Sequence, residues 1–281
     1  MYIPECLMQL GQLSKFNRQW VDALPSTIDT ICRKWNLDLG QPFEEQVTCS
    51  FVAPCRFDKH QAAILKIGLP HPEALHEIEG LQLLNGDPTV KILAIDKASN
   101  AMLLEKCIPG THLAAEPPDV QDKVITSALK KIWSTPYDTQ VFRPLKAMVQ
   151  LWNEGTIANL NQFPDSDLAK EGCRIKEELA ESNKDHVLLA TDLHAGNVLS
   201  AQRQPWLIID IKPYYGDRTY DLTQYLLNNK DRLAQNPHGT LSRLSDLANV
   251  EFERLQLWMF ARLTSENEGH NQDLARRILN D

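Results

Sequence analysis

Two carboxylates and one amide stand around a single polar loop, and their types and spacing could support chemistry on phosphate. Asp192 follows the short apolar run 188–190, Asp210 follows the run 206–209, and Asn197 lies between them. An apolar run that closes on a carboxylate is typical of a buried strand that delivers an acid to the rim of a sheet. One base and two metal ligands placed in this way would suit phosphoryl transfer, because that reaction depends mainly on positioning and charge neutralisation.

The spacing Asp-Leu-x-x-x-Asn from Asp192 to Asn197 matches the kinase catalytic-loop signature. In that signature the Asp accepts the proton of the acceptor hydroxyl and the Asn holds a magnesium ion. Asp210 then stands where a second metal-binding Asp is expected. An Asp and an Asn at this distance are common by chance, and an Asp after a strand is often a turn former. The rest of the chain must therefore supply the other parts of such a site.

A lysine inside an apolar segment is the next candidate. Lys66 lies within the run 62–67, where a charged side chain costs free energy unless it meets an anion or extends to water from an edge strand. Glu73 and Glu77 follow, in a helix predicted to open at Pro72. We favour Glu77 as the partner, since the pattern places it in the body of that helix, whereas an acid in the first turn is also favoured by the helix dipole.

The order of the predicted elements favours an α+β, protein-kinase-like bilobal fold. Helices, a small antiparallel sheet, a break at 106–110 and a mainly helical part follow one another. The predicted elements are helices over 5–37, strands between 39 and 67, a helix from Pro72, strands over 89–96 and 101–105, and helices over 117–133, 145–152, 165–183, 220–227, 241–263 and 273–279. We expect an ATP-binding N-lobe of residues 1–106 and a C-lobe of 107–281 with the catalytic loop, metal site and acceptor.

Composition restricts the partners. The 281 residues carry a formal net charge of −8, which argues against a nucleic-acid partner and is compatible with a cationic small substrate. No run of about 18 apolar residues occurs, so we expect no membrane span. The N-terminal segment lacks the pattern of an export signal, and we expect a cytoplasmic protein. The six cysteines are scattered, which favours reduced thiols over bridges or a zinc site.

The motifs together resemble a known family. The chain is similar to the aminoglycoside phosphotransferases, and within them to the streptomycin 6-phosphotransferase and hydroxyurea-resistance kinase family. The residues that carry the resemblance are 65–74, 76–81, 103–105, 191–199, 205–214 and 216–222. The resemblance is specific, because the Asp-Leu-His-x-Gly-Asn loop and the Trp-Leu-x-Ile-Asp-x-Lys-Pro strand occur together, and at motif level it spans about residues 39–227.

The resemblance implies roles for the residues of the loop. Asp192 would be the catalytic base, and Asn197 and Asp210 would bind magnesium. His194 would support the loop conformation rather than act as an acid or base. Asp221 would accept hydrogen bonds from backbone N–H groups of the loop.

The resemblance also implies a nucleotide site. Lys66 would hold the ATP phosphates and Glu77 would hold Lys66, while the backbones of Glu105 and Cys107 would meet the adenine. Three departures stand out. Ala190-Thr191 replaces the His-Gly that usually precedes the catalytic Asp, the phosphate-cover segment 43–50 lacks glycine, and Ile211-Lys212 replaces the Phe-Gly of protein kinases. The last departure favours a small-molecule kinase.

The implied activity is ATP- and Mg²⁺-dependent phosphorylation of a hydroxyl group on an aminoglycoside of streptomycin type. The implied partner is a small, hydroxylated, cationic substrate, without nucleic acid or membrane. Two alternatives stay open at this point. One is a housekeeping kinase for a sugar, amino alcohol or amino-acid derivative. The other is a nucleotide-binding pseudokinase, to which the glycine-free segment lends weight.

Overall fold

The structure is a computed structural model that describes residues 2–44, 49–58, 61–182, 185–265 and 271–280. Contacts divide the chain into two compact units. The first comprises residues 1–110 and 200–207, and the second comprises 111–199 and 208–281. None of the helices in the described ranges is both long and apolar enough to cross a membrane.

The first unit combines helices with one antiparallel sheet. Its elements are α1 (Glu5–Leu13), α2 (Lys15–Trp35), β1 (Asp38–Leu39), β2 (Ser50–Phe57), β3 (Gln61–Gly68), α3 (Glu77–Leu84), β4 (Ile92–Asp96) and β5 (Ala101–Glu105). The five strands are ordered β1-β2-β3-β5-β4. The register sets Lys66 of β3 opposite Val52 of β2 and Met102 of β5, so the lysine lies in the middle of the sheet.

Helix α2 covers this sheet with an apolar face. The Ser14 side chain accepts a hydrogen bond from the Asn17 N–H and begins the helix, and Asn36 ends it in a left-handed conformation with φ 51°. The buried side chains of α2 join those of β2, β3 and β5 in one core. This core includes Leu24, Ile28, Ile31, Phe51, Ala53, Ala63, Leu65, Ile67, Ala101 and Leu103.

The helix predicted to open at Pro72 begins later than the sequence indicated. Pro72 starts only a short 3₁₀ turn, Pro72–Ala74, and α3 begins at Glu77. Leu75, which lies between the 3₁₀ turn and α3, is 54% exposed and contributes nothing to the core. Glu77 is consequently the first residue of α3, and its predicted place in the body of the helix is wrong.

The second unit is mainly helical. Its elements are α4 (Pro118–Trp133), α5 (Leu145–Ala158), α6 (Ser166–Ser182), β6 (Val187–Leu189), β9 (Tyr214–Gly216), α7 (Arg218–Leu227), α8 (Lys230–Gln235), α9 (Pro237–Ala248), α10 (Phe252–Ser265) and α11 (Asn271–Asn280). The hairpin of β7 (Val198–Ser200) and β8 (Trp206–Ile208) begins and ends in this unit, and its residues 200–207 group with the first unit. Strands β6 and β9 form a two-stranded sheet, and β7 and β8 form another. Both short sheets flank the polar loop 190–197.

The long helix predicted over 241–263 is two helices, α9 and α10. Asn249 takes a left-handed conformation with φ 58°, and its N–H bonds back to the Asp246 carbonyl, which ends α9. The periodic apolar pattern continues on both sides of this cap, so periodicity alone does not reveal the break. Helix α8 was not predicted, because its six residues are too short to give a pattern.

The division into units differs from the predicted boundary between residues 106 and 107. It falls after Gly110, and the tip of the β7–β8 hairpin, residues 200–207, groups with the first unit. The physical reason is local: the Gly110 N–H donates to the Ser200 carbonyl at 3.0 Å. The roles assigned to the two parts from sequence stay predictions.

Candidate active site

The ion pair predicted between Lys66 and Glu77 is present in the first unit. Lys66 Nζ lies 2.5 Å from Glu77 Oε1, and the two side chains are 7% and 8% exposed. Strand β3 points the lysine toward α3, whose first residue supplies the carboxylate. A charge so poorly hydrated requires its counter-ion. The expected pairing of these two residues is therefore confirmed.

Segment 105–110, whose Glu105 and Cys107 backbones are expected to meet the adenine, begins at the last residue of β5. The Glu105 N–H donates to the Lys91 carbonyl at 2.9 Å, so this N–H is already bonded within the first unit. Cys107 is buried, and this burial raises the pKa of its thiol to about 11. Of the glycine-free segment 43–50, residues 45–48 lie outside the described part of the chain.

The backbone before Asp192 is held in an unusual conformation. Thr191 has φ 51°, a left-handed value that β-branched residues rarely adopt. Asp221 Oδ1 accepts the Thr191 N–H at 2.7 Å, and Oδ2 accepts the Ala190 N–H at 3.0 Å and Trp133 Nε1 at 2.9 Å. The expectation that Asp221 accepts backbone N–H bonds from the loop is confirmed. Burial raises the pKa of Asp221 to about 6, although these three hydrogen bonds favour its ionised form.

A lysine that sequence reasoning did not assign lies against the proposed base. Lys212 Nζ is 2.6 Å from Asp192 Oδ2, and the two side chains are 27% and 20% exposed. The Lys212 backbone is fixed on both sides, since its N–H donates to the Ala190 carbonyl at 2.9 Å and its carbonyl accepts from Thr191 Oγ1. The available signal was its place in the Asp-x-Lys-Pro motif, two residues after Asp210.

The two proposed metal ligands are brought together by backbone pairing. The Ile209 N–H donates to the Asn197 carbonyl at 2.9 Å, which sets Asp210 beside Asn197. Asn197 Nδ2 donates to the Asp192 carbonyl at 3.1 Å, and this bond leaves Oδ1 as the ligand atom of the amide. Within the described residues no group of three or more His, Cys, Asp or Glu side chains could hold a metal. A carboxylate and an amide oxygen nevertheless suit Mg²⁺, which usually takes few protein ligands and completes its shell with water and phosphate.

His194 is a structural part of this loop. Its Nδ1 accepts the Gly196 N–H at 3.1 Å, which requires the unprotonated nitrogen. Burial lowers the pKa of His194 and outweighs the opposite effect of the nearby Asp192 and Asp210 charges. A second histidine, His112, lies with its Nδ1 2.8 Å from the Gly196 carbonyl, and no sequence signal had indicated it. Both histidines fix the loop that carries Asn197.

The chain matches one protein family over most of its length. Residues 35–271 match the model of the aminoglycoside/hydroxyurea antibiotic resistance kinase family. The chain belongs to this family. It is a phosphotransferase, as the sequence predicted.

Two relatives align with most of this chain. Streptomycin 6-kinase of Streptomyces glaucescens is 30% identical over 254 residues, which cover 87% of this chain and 82% of that protein. Hydroxyurea phosphotransferase of Kitasatospora aureofaciens is 26% identical over 261 residues, which cover 91% and 76%. The choline kinase LicA of Streptococcus pneumoniae has a similar structure, with a TM-score of 0.66, 16% identity and coverage of 91% and 98%. These findings confirm the kinase-like α+β fold class.

Proposed function

We propose that this family member is an ATP-dependent kinase that phosphorylates a hydroxyl group of a cationic antibiotic of streptomycin type. The 30% identity to a streptomycin 6-kinase over 87% of the chain supports the acceptor class. The observation that carries the chemistry is the fixed position of Asp192. Its carboxylate is paired with Lys212, and its backbone carbonyl accepts a hydrogen bond from Asn197 Nδ2.

Asp192 is the proposed catalytic base. A carboxylate in the loop can accept the proton of the attacking hydroxyl as the oxygen–phosphorus bond forms. Thr191 supports this position, because its φ of 51° turns the chain sharply just before Asp192 and its hydroxyl is bonded to the Lys212 carbonyl. The Asp221 carboxylate accepts hydrogen bonds from the Ala190 and Thr191 N–H groups and so holds the backbone before Asp192.

Asn197 and Asp210 are the residues that would hold magnesium. Their oxygen atoms fit a hard cation, and the Ile209–Asn197 backbone bond supports their proximity. When bound, the ion neutralises negative charge on the phosphates. The chain's own contribution is to orient the two ligands.

The first unit would bind the nucleotide. Lys66 is the proposed contact for the phosphates, and Glu77 keeps its ammonium group in place. The backbones of Glu105 and Cys107 are the proposed contacts for the adenine. Burial of Cys107 supports a backbone role for this residue, since its thiol stays protonated and inward.

The proposed acceptor class rests on the names of the relatives and on the charge of the chain. The net charge of −8 favours a cation over an anionic metabolite. One relative is named for hydroxyurea, so this compound is the second acceptor to test. The housekeeping and pseudokinase alternatives are tested in the same experiment.

The experiment is Mg²⁺-dependent ATP consumption by the full chain with streptomycin, spectinomycin, hydroxyurea, a sugar and an amino alcohol, beside Asp192→Asn. We expect turnover with streptomycin and a loss of roughly a thousandfold or more in the variant, with ATP binding retained. Turnover on the sugar or amino alcohol alone would mean that the acceptor is a metabolite and not an antibiotic. ATP binding without turnover on any acceptor would favour the pseudokinase.

A further inference from the structure

The β7–β8 hairpin tip contacts the segment proposed to meet the adenine. Arg203 Nε lies 3.0 Å and 3.2 Å from the two carboxylate oxygens of Glu105, and Nη2 lies 2.9 Å from Oε2. Arg203 Nη2 also donates to the Thr89 carbonyl at 2.9 Å. The two charged side chains are 27% and 20% exposed. A planar guanidinium that meets a carboxylate through two nitrogen atoms fixes its orientation as well as its position.

A second contact holds the other end of the same segment. The Gly110 N–H donates to the Ser200 carbonyl at 3.0 Å, and the tip is closed by the Ala201 N–H on the Pro205 carbonyl at 3.3 Å. Segment 105–110 is therefore held at its first and last residues by one short loop. We call Ser200 and Arg203 the clamp.

The surroundings of Arg203 favour this fixed geometry. Gly86 has φ 86°, and a Cβ there would lie 2.5 Å from Lys91 Cγ and 3.2 Å from Arg203 Nη2. Only glycine leaves room for both side chains in this backbone conformation. Burial alone would raise the pKa of the Glu105 carboxyl, but hydrogen bonds from Arg203 and the Lys91 N–H lower it below its usual range. Glu105 is thus ionised and bonded at neutral pH.

We infer that Arg203 is a positioning residue for the nucleotide base, acting through Glu105 on the backbone of segment 105–110. This role rests on the proposed function. The β7–β8 hairpin, which carries the clamp at its tip, begins directly after Asn197 and ends just before Asp210. One continuous stretch of chain therefore supplies both proposed metal ligands and the side chain that fixes the base-binding backbone.

The test compares two ligands that differ in the base. Calorimetric titration of the full chain with MgATP and with magnesium tripolyphosphate separates base-dependent from phosphate-dependent affinity. We expect Arg203→Gln to weaken ATP binding about tenfold and to leave tripolyphosphate binding unchanged. Arg203→Lys should lie between wild type and Arg203→Gln, because an ammonium group cannot form the two-pronged contact.

Two further variants control for charge and for folding. Arg33→Gln breaks an exposed pair with Asp29 on α2 in the same unit and should leave both affinities unchanged. The charge swap Arg203→Glu with Glu105→Arg should recover part of the lost ATP affinity. Hydrogen exchange at the Gly110 amide should accelerate in Arg203→Gln if the clamp orders the segment.

The outcomes separate the inference from the proposed function. Unchanged ATP affinity in Arg203→Gln would overturn the inference while leaving the kinase assignment intact. An equal loss for ATP and tripolyphosphate would also overturn it, since the residue would then act on the whole unit. A wild-type chain that binds no ATP would overturn the proposed function and the role of Arg203 with it.

Discussion

Lys212 Nζ lies 2.6 Å from Asp192 Oδ2, so the proposed catalytic base is ion-paired to a lysine from the strand end that also carries Asp210. The lysine backbone is fixed by Ala190 and Thr191, which makes the pair part of the loop architecture rather than a surface contact. The pair fixes the orientation of the carboxylate that would receive the acceptor proton.

Replacement of Lys212 should reduce turnover more than binding. We expect Lys212→Met to lower kcat about a hundredfold, because a carboxylate displaced by an ångström aligns poorly with the hydroxyl. Steady-state kinetics should show a much smaller change in the KM for ATP, and Lys212→Arg should recover part of the rate. Lys146→Met, which breaks the exposed pair with Glu181, is the matched control. A normal kcat in Lys212→Met would contradict the prediction.

Asp221 should make stability depend on pH in an unusual direction. Its pKa of about 6 in the folded state is higher than that of an unfolded Asp, about 4, so the folded state binds the proton more tightly. Its contribution to the free energy of unfolding therefore falls as pH rises from about 4 to 6 and is constant above. In urea unfolding, the destabilisation caused by Asp221→Asn should narrow over this range.

The control for this measurement is Asp246→Asn, an exposed carboxyl on α9. It should change stability little at any pH. If the difference in the free energy of unfolding between wild type and Asp221→Asn widens from pH 4 to 6, the hydrogen bonds from Ala190, Thr191 and Trp133 outweigh the effect of burial on the pKa of Asp221.

The Lys66–Glu77 pair should behave as a buried pair. Glu77→Gln removes the anion beside a lysine that is 7% exposed, and we expect a loss of about 3 kcal/mol in the free energy of unfolding. The double variant Lys66→Met, Glu77→Leu should recover stability but still bind ATP poorly. Denaturant unfolding and calorimetric titration measure the two effects.

A matched pair lies on the same helix. Glu79 of α3 pairs with Lys97, whose side chain is 64% exposed. Glu79→Gln should therefore lower the free energy of unfolding by less than about 1 kcal/mol. Similar losses in Glu77→Gln and Glu79→Gln would show that burial adds nothing to the first pair.

Cys107 should resist alkylation in the folded protein. Burial raises the pKa of its thiol, and that of Cys55, to about 11, so roughly one molecule in several thousand is a thiolate at pH 7.5. Iodoacetamide labelling with peptide mass mapping should modify the partly exposed Cys6 and Cys49 first. All six cysteines should react after unfolding in urea. Labelling of Cys107 as fast as Cys49 would contradict its burial.

Local patterns in the sequence were sufficient for most of the main elements and for one buried ion pair of the candidate site. A charged residue in an apolar run needs a counter-ion, and this rule led to the Lys66–Glu77 pair. The order of lysine strand, glutamate helix, break and Asp-Asn loop was the basis for predicting a kinase-like fold. The same patterns missed the start of α3 and the cap at Asn249, because apolar periodicity continues across both.

The contacts that fix the site were decided by tertiary structure alone. Arg203 and Glu105 are separated by 98 positions, and Trp133 and Asp221 by 88. No local spacing relates residues so far apart, and a hydrogen bond requires donor and acceptor within about 3 Å. Residue types and local periodicity predicted most of the strands and helices. Packing of those segments decided which side chain meets which partner, because only the folded backbone sets these distances and removes the competing water.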